Sequence, residues 1–131
     1  MEENNYYRQD LFNLILEDFL KYSPGVTAVA LVTGDGFPLA SAGNTTEINN
    51  LDALSSIALD VIKRVMVNSS FRANEVMIGD NENNRIICRY FTHDAATSGD
   101  YVLVLYCENE YKSDKVNLLL GKLEEALQAF Y

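Results

Sequence analysis

The chain has 131 residues, 48% of them hydrophobic and 22% charged, the size and make-up of one ordinary globular domain. A formal net charge of −9 and a pI near 4.4 repel phosphate backbones and anionic lipid, so neither nucleic-acid binding nor direct membrane insertion is expected. No apolar run approaches the roughly 20 residues that span a bilayer, and the opening MEENNYYRQD lacks the apolar core of a secretion signal, which predicts a cytoplasmic protein.

Residues 1–7 are polar and read as a loose extension of a single domain covering 1–131. Residues 8–22 place Leu11, Phe12, Ile15, Leu16, Phe19 and Leu20 on one half of a helix, opposite Asp10, Asn13, Glu17 and Lys21. Ser23-Pro24-Gly25 stops that helix. VTAVALVT (26–33) is β-branched and small, the pattern of a buried strand. Across Gly34-Asp35-Gly36, residues 37–42 form its hairpin partner. Pro38 has no N–H to give a ladder, which places this second strand at a sheet edge. Thr45 or Thr46 caps a long second helix over about 48–69. Strands follow at 74–80, 85–91 and 100–107, the first two joined by the polar turn Asn81-Glu82-Asn83-Asn84. Val116, Leu119, Leu120, Leu123, Ala126, Leu127 and Phe130 make one stripe along a final helix, 113–130.

The order αββαβββα predicts an α+β fold: five strands, mostly antiparallel, with two helices on one face of the sheet and the long second helix on the other. This order, the small-residue strand after the first helix and the hairpin TGDGFPLASAG resemble the Roadblock/dynein-light-chain family, related in shape to longin and profilin folds. The resemblance spans residues 8–130. It implies a non-enzymatic platform that binds a small Ras-like GTPase and associates with its own copy through second helices and third strands.

The residues themselves point away from catalysis. A phosphate loop needs several N–H groups converging at a helix N-terminus, but Gly34-Asp35-Gly36 leads into a strand, and neither GxxxxGK[ST] nor GxGxxG occurs. Positive φ in a tight hairpin explains the glycines. His93, the one histidine, lies beside Asp94 in a polar loop and reads as solvated. The stretch 80–85 starts like a calcium loop but carries Arg85 where the sharp turn needs glycine. Cys88 and Cys107 sit in apolar strand runs, as reduced core thiols rather than a disulfide or redox pair. No catalytic, cofactor-binding or metal-binding set is predicted. The sequons at Asn44 and Asn68 carry no weight without secretion.

Surplus hydrophobicity is the informative feature. Leu51, Leu54, Ile57, Ala58, Leu59, Val61, Ile62, Val65 and Met66 cover an arc of about 200° on the second helix, twice that of an ordinary surface helix. One side packs on the sheet; the other needs a second cover, either a copy of the chain or unusually deep burial within a monomer. The predicted dimer interface is Leu54, Ile57, Val61 and Val65 on this helix with Val76 and Ile78 on the strand after it. Arg64 and Arg72 read as charges that complement the dipole at the C-terminus of the second helix rather than as arginine fingers toward a partner GTPase. The rival functions are a light-chain adaptor of a motor or signalling complex, and a profilin-like small-molecule sensor with His93 and loop 94–99 lining its pocket. Leu118 points away from the last helix's stripe and has no assigned role.

Overall fold

Alternation within VTAVALVT decides the layering: Val29 and Leu31 enter one core while Ala28, Ala30 and Val32 enter another on the opposite side of the sheet. The computed structural model describes the backbone of residues 2–34, 36–70, 72–92, 100–108 and 113–130, and within these the side chains of all but 2–9, 45–47, 52, 113–114 and 128–130. The elements are α1 (Glu2–Lys21), β1 (Val26–Thr33), β2 (Pro38–Gly43), α2 (Thr45–Asn68), β3 (Glu75–Gly79), β4 (Asn84–Thr92), β5 (Asp100–Glu108) and α3 (Ser113–Phe130). The strands form one sheet in the order β2-β1-β5-β4-β3, and every neighbouring pair is antiparallel. The predicted α+β order holds throughout.

On one face, Phe12 and Leu16 of α1 and Val116, Leu119, Leu123 and Leu127 of α3 pack on Val29, Leu31, Ile87, Leu103 and Leu105. On the other, Leu51, Ala58 and Leu59 of α2 pack on Ala28, Ala30, Val32, Cys88, Val102 and Val104. Alanines beneath α2 let the helix backbone approach the sheet closely. Truncating a fully buried leucine such as Leu51 or Leu103 to alanine costs about 2–5 kcal/mol.

Two boundaries differ from the sequence reading. α1 begins at Glu2, so the helix takes in residues 2–7, which the apolar stripe leaves outside. α2 begins at Thr45, and the Asn44 carbonyl accepts the Ile48 N–H at 2.9 Å, which moves the N-cap position from Thr45 or Thr46 to Asn44. β2 is an edge strand with Pro38 exposed, as the missing donor requires. β3 is the other edge.

Candidate interaction surface

α2 connects the two edges, leaving β2 at Gly43 and reaching β3 at Glu75, so it crosses the sheet diagonally. Its buried line is Leu51, Ser55, Ala58, Leu59 and Ile62. Beside that line, at i, i+3, i+7 and i+11, run Leu54, Ile57, Val61 and Val65. Leu54 is half-buried, whereas Ile57 is 60% exposed and Val61 42%. The opposite flank is polar and has contacts. A Cβ on Gly36 would stand 3.3 Å from Ser56 Oγ, and Lys63 Nζ lies 3.7 Å from Asp100 Oδ2. These two contacts turn that flank toward the β1–β2 turn and the start of β5. The bare apolar flank therefore turns toward the far half of β3.

Ile78 is in that half and is 51% exposed, on the same sheet face as α2; Val76, two residues earlier, is half-buried against the α2 core. The six residues singled out in the sequence thus share one side of the molecule. Met77 and Glu75 point to the opposite face. There Arg89 donates from Nε and Nη2 to Glu75 Oε2 at 2.8 and 2.5 Å, and from Nη1 to Asn117 Oδ1 of α3 at 3.2 Å. The sequence reading missed this cluster. Its signal is the hairpin register, which sets Glu75 directly across from Arg89.

The glycine turn is a hairpin. Gly36 has φ +91°, its N–H reaches the Thr33 carbonyl at 2.9 Å, and Phe37 N–H reaches Thr33 Oγ1 at 3.1 Å, after which the chain enters β2. Gly34 does not have positive φ, which corrects the reading for that residue. Its glycine is required by the close approach of β5.

The remaining candidates separate cleanly. Cys88 and Cys107 are buried and unbonded, and burial pushes both thiols up to about 11, far from nucleophilic. Arg64 pairs with Asp60 at 2.9 Å on the exposed side of α2, and Arg72 is exposed. Asp80 opens the β3–β4 turn: its carboxylate accepts from Asn84 Nδ2 and from the N–H groups of Glu82 and Asn84, which hold it below the usual carboxylate range. That is a turn, with Asn83 at φ +67°. Tyr90 donates to Asp100 Oδ1 at 2.8 Å; burial first, then that anionic neighbour, push the phenol up to about 12. His93 and loop 94–99 lie outside the described residues, as does Asp35. Among the described residues no group of three or more His, Cys, Asp or Glu is placed to hold a metal, and no helix is long and apolar enough to cross a membrane.

A five-stranded antiparallel sheet with a single diagonal helix on one face and two helices on the other is the Roadblock/LC7 fold. Among solved structures, the chain is similar to the Roadblock/LC7 domain from Streptomyces avermitilis, with a TM-score of 0.69 and 13% identity over 90% of this chain and 95% of that one. It is similar to Myxococcus xanthus MglB, with a TM-score of 0.69 and 14% identity over 94% and 92% of the two chains. A structure described as MglB with a tetrameric arrangement gives a TM-score of 0.57 and 17% identity over 94% and 89%. At these identities the likeness is one of fold. No family model matches the sequence, and no curated protein does.

Proposed function

We propose that the chain is a non-enzymatic, homodimeric platform that binds and regulates a small Ras-like GTPase in the cytoplasm. The observation that carries this reading is the uncovered flank of α2 beside the open β3 edge, where one apolar surface runs from Leu54 to Val65 and on to Val76 and Ile78. A monomer gains nothing from leaving such a surface in water, whereas a twofold partner buries it in both copies. The Roadblock/LC7 fold supports the GTPase as partner, because the family resemblance implies that role. Two buried, unbonded cysteines fit a reducing compartment.

A light-chain adaptor is the second reading. It is favoured by a cavity of about 200 Å³ between α1 and α3, lined by Ile15, Phe19, Tyr22, Leu118 and Lys122 among others. This gives Leu118 a place at a groove that the sequence reading did not assign.

Affinity recovery from native lysate, with the lysate loaded with GDP or with a non-hydrolysable GTP analogue, tests both. A GTPase recovered in only one nucleotide state supports the platform. A large chain recovered in either state overturns it in favour of the adaptor.

A further inference from the structure

Two contacts show that α1 and α3 run antiparallel: Lys115 Nζ donates to the Tyr22 carbonyl at 2.8 Å, and further along Lys122 Nζ lies 4.0 Å from Asp18 Oδ2. Between these helices, on the sheet face opposite α2, is the cavity of about 200 Å³, lined by the core-packed Ile15, Phe19 and Leu119. Tyr22 and Leu118 line it from either side and are exposed. A space of about 150 Å³ already admits a benzene ring, so this one has room for a single leucine or phenylalanine side chain.

An apolar hollow alone names no occupant; its polar groups do. Ser23 lines the cavity at 4% exposure. Its N–H donates to the Leu20 carbonyl at 3.3 Å and its carbonyl accepts from Val26 N–H at 3.1 Å, but its hydroxyl has no partner among the described residues. Burying a hydroxyl without a partner is costly, and the fold by itself leaves that cost unmet. Lys115 is bound to the carbonyl of the peptide unit leading into Ser23, so an ammonium with N–H groups to spare and an unused hydroxyl stand side by side. Both are donors suited to a carboxylate. Lys122 is a second cation, and its long contact with Asp18 joins two side chains that are each more than half exposed, which is a weak tie. Lys21 adds a third charge over the Tyr22 ring. On a chain of net charge −9, three of the ten lysines and arginines thus gather at this groove, while Asp18 is the one carboxylate among the residues that line it.

We propose that the α1–α3 groove docks an acidic amphipathic helix of a partner protein, with one bulky apolar side chain in the cavity, one carboxylate received by Lys115 and Ser23, and a second received by Lys122. This inference rests on the adaptor reading above and names the chemistry of the adaptor's partner. Two helices side by side leave a furrow into which the ridge of a third fits. Lys115 and Lys122 are seven residues, about 10 Å, apart along α3. The partner's two acids are therefore expected seven residues apart on one face, with the apolar anchor three or four residues from each. Because the groove opens on the face opposite α2, its occupant and a second copy on the α2 flank do not compete.

The probe is an alanine-based helical peptide with two glutamates seven residues apart and leucine and phenylalanine at the third and fourth positions after the first. Its counterpart carries lysine in place of both glutamates. In amide-shift titrations at low salt the glutamate peptide is expected to move the Phe19, Ser23 and Leu118 signals and to bind about tenfold more tightly than the lysine peptide. Leu118 is 69% exposed, so Leu118→Glu leaves the fold intact and is expected to abolish binding, whereas Val67→Glu, on α2, is expected to bind as the wild type does. Lys115→Glu with Lys122→Glu is expected to reverse the preference between the peptides. Ser23→Ala is expected to weaken binding while the thermal midpoint stays or rises, a pairing that a merely structural serine would not give. A glutamate peptide that binds no better than its lysine counterpart, or that shifts only residues on the α2 face, overturns the proposal. The adaptor reading is judged separately: it falls if Leu118→Glu recovers the same large chain from lysate as the wild type, and stands if that chain is lost, whichever peptide binds.

Discussion

Gly34 lies against the start of β5: a Cβ placed on it would stand 2.8 Å from the Cβ of Asp100, while its N–H donates to the Asp100 carbonyl at 2.7 Å. The turn that in sequence looks like a phosphate cradle is thus held shut by a strand 66 positions further along. Asp100 Oδ1 meanwhile accepts from Tyr90, and Oδ2 faces Lys63. One residue ties the hairpin turn, β4 and α2 together.

The two turn glycines are therefore expected to fail for different reasons. Gly36→Val puts a β-branched residue at φ +91° and is expected to lower stability by about 1–3 kcal/mol. Gly34→Ala meets Asp100 instead, and Asp100→Gly in the same chain is expected to recover part of its loss. Urea unfolding of the single and double variants checks both. A Gly36→Val protein of unchanged stability that no longer binds a partner would make the turn a functional site.

Arg89 predicts a coupling across β3, β4 and α3. The Arg89 side chain is 16% exposed and that of its Glu75 partner 25%, so Arg89→Ala removes a shielded, charge-assisted hydrogen-bond donor from the carboxylate and is expected to cost about 1–3 kcal/mol. Replacing both, as Arg89→Met with Glu75→Leu, is expected to be milder than the sum of the single changes. A double-mutant cycle from urea denaturation measures the difference, and additive effects would show that the pair is uncoupled.

What could be read in the sequence and what could not divides along physical lines. Hydrophobic periodicity is local, so the uncovered flank of α2 was legible from Leu54, Ile57, Val61 and Val65, and the β2 edge from Pro38 alone. Residues 2–7 of α1 have no apolar stripe to read, and helix continuation there left no periodic trace. From the sequence Gly34 has the character of a positive-φ turn glycine, because its true constraint, Asp100, is distant in the chain. The Arg89–Glu75 pair needs the hairpin register, which depends on the exact residues of the Asp80 turn rather than on any property of the two strands.

Stability is expected to fall at both ends of the pH scale. The folded Cys88 and Cys107 thiols titrate at about 11 against an ordinary 9.0, and Tyr90 at about 12 against 10.0. Raised values mean contributions that are whole below 9 and 10 and lost as pH climbs through 11 and 12. Asp80 has the opposite sign. Its lowered value gives a contribution present above 3.8 and lost as acidification reaches its folded value. Urea midpoints across pH measure this. Tyr90→Phe is expected to flatten the part between 10 and 12, and an unchanged alkaline slope would refute the assignment. At pH 8 both thiols are expected to resist alkylation until the chain unfolds.

Val61→Glu is the decisive substitution for the apolar flank. Val61 is centred on the exposed stripe between Ile57 and Val65, while Asp60, its neighbour in sequence, faces away and pairs with Arg64. A twofold interface repeats each change in both copies, so one buried glutamate per chain places two unpaired charges in a single apolar contact. Since Val61 is already 42% exposed in the single chain, the change leaves the fold's own core intact and the helix stable. Light scattering is then expected to give a dimer for the wild type and for Asp60→Glu, and a species near 14.7 kDa for Val61→Glu. A wild type that holds the monomer mass across dilutions at micromolar concentration would show that water, not a second copy, covers this flank. The platform reading would fall with it, because the surface that carries that reading would have no partner of its own kind.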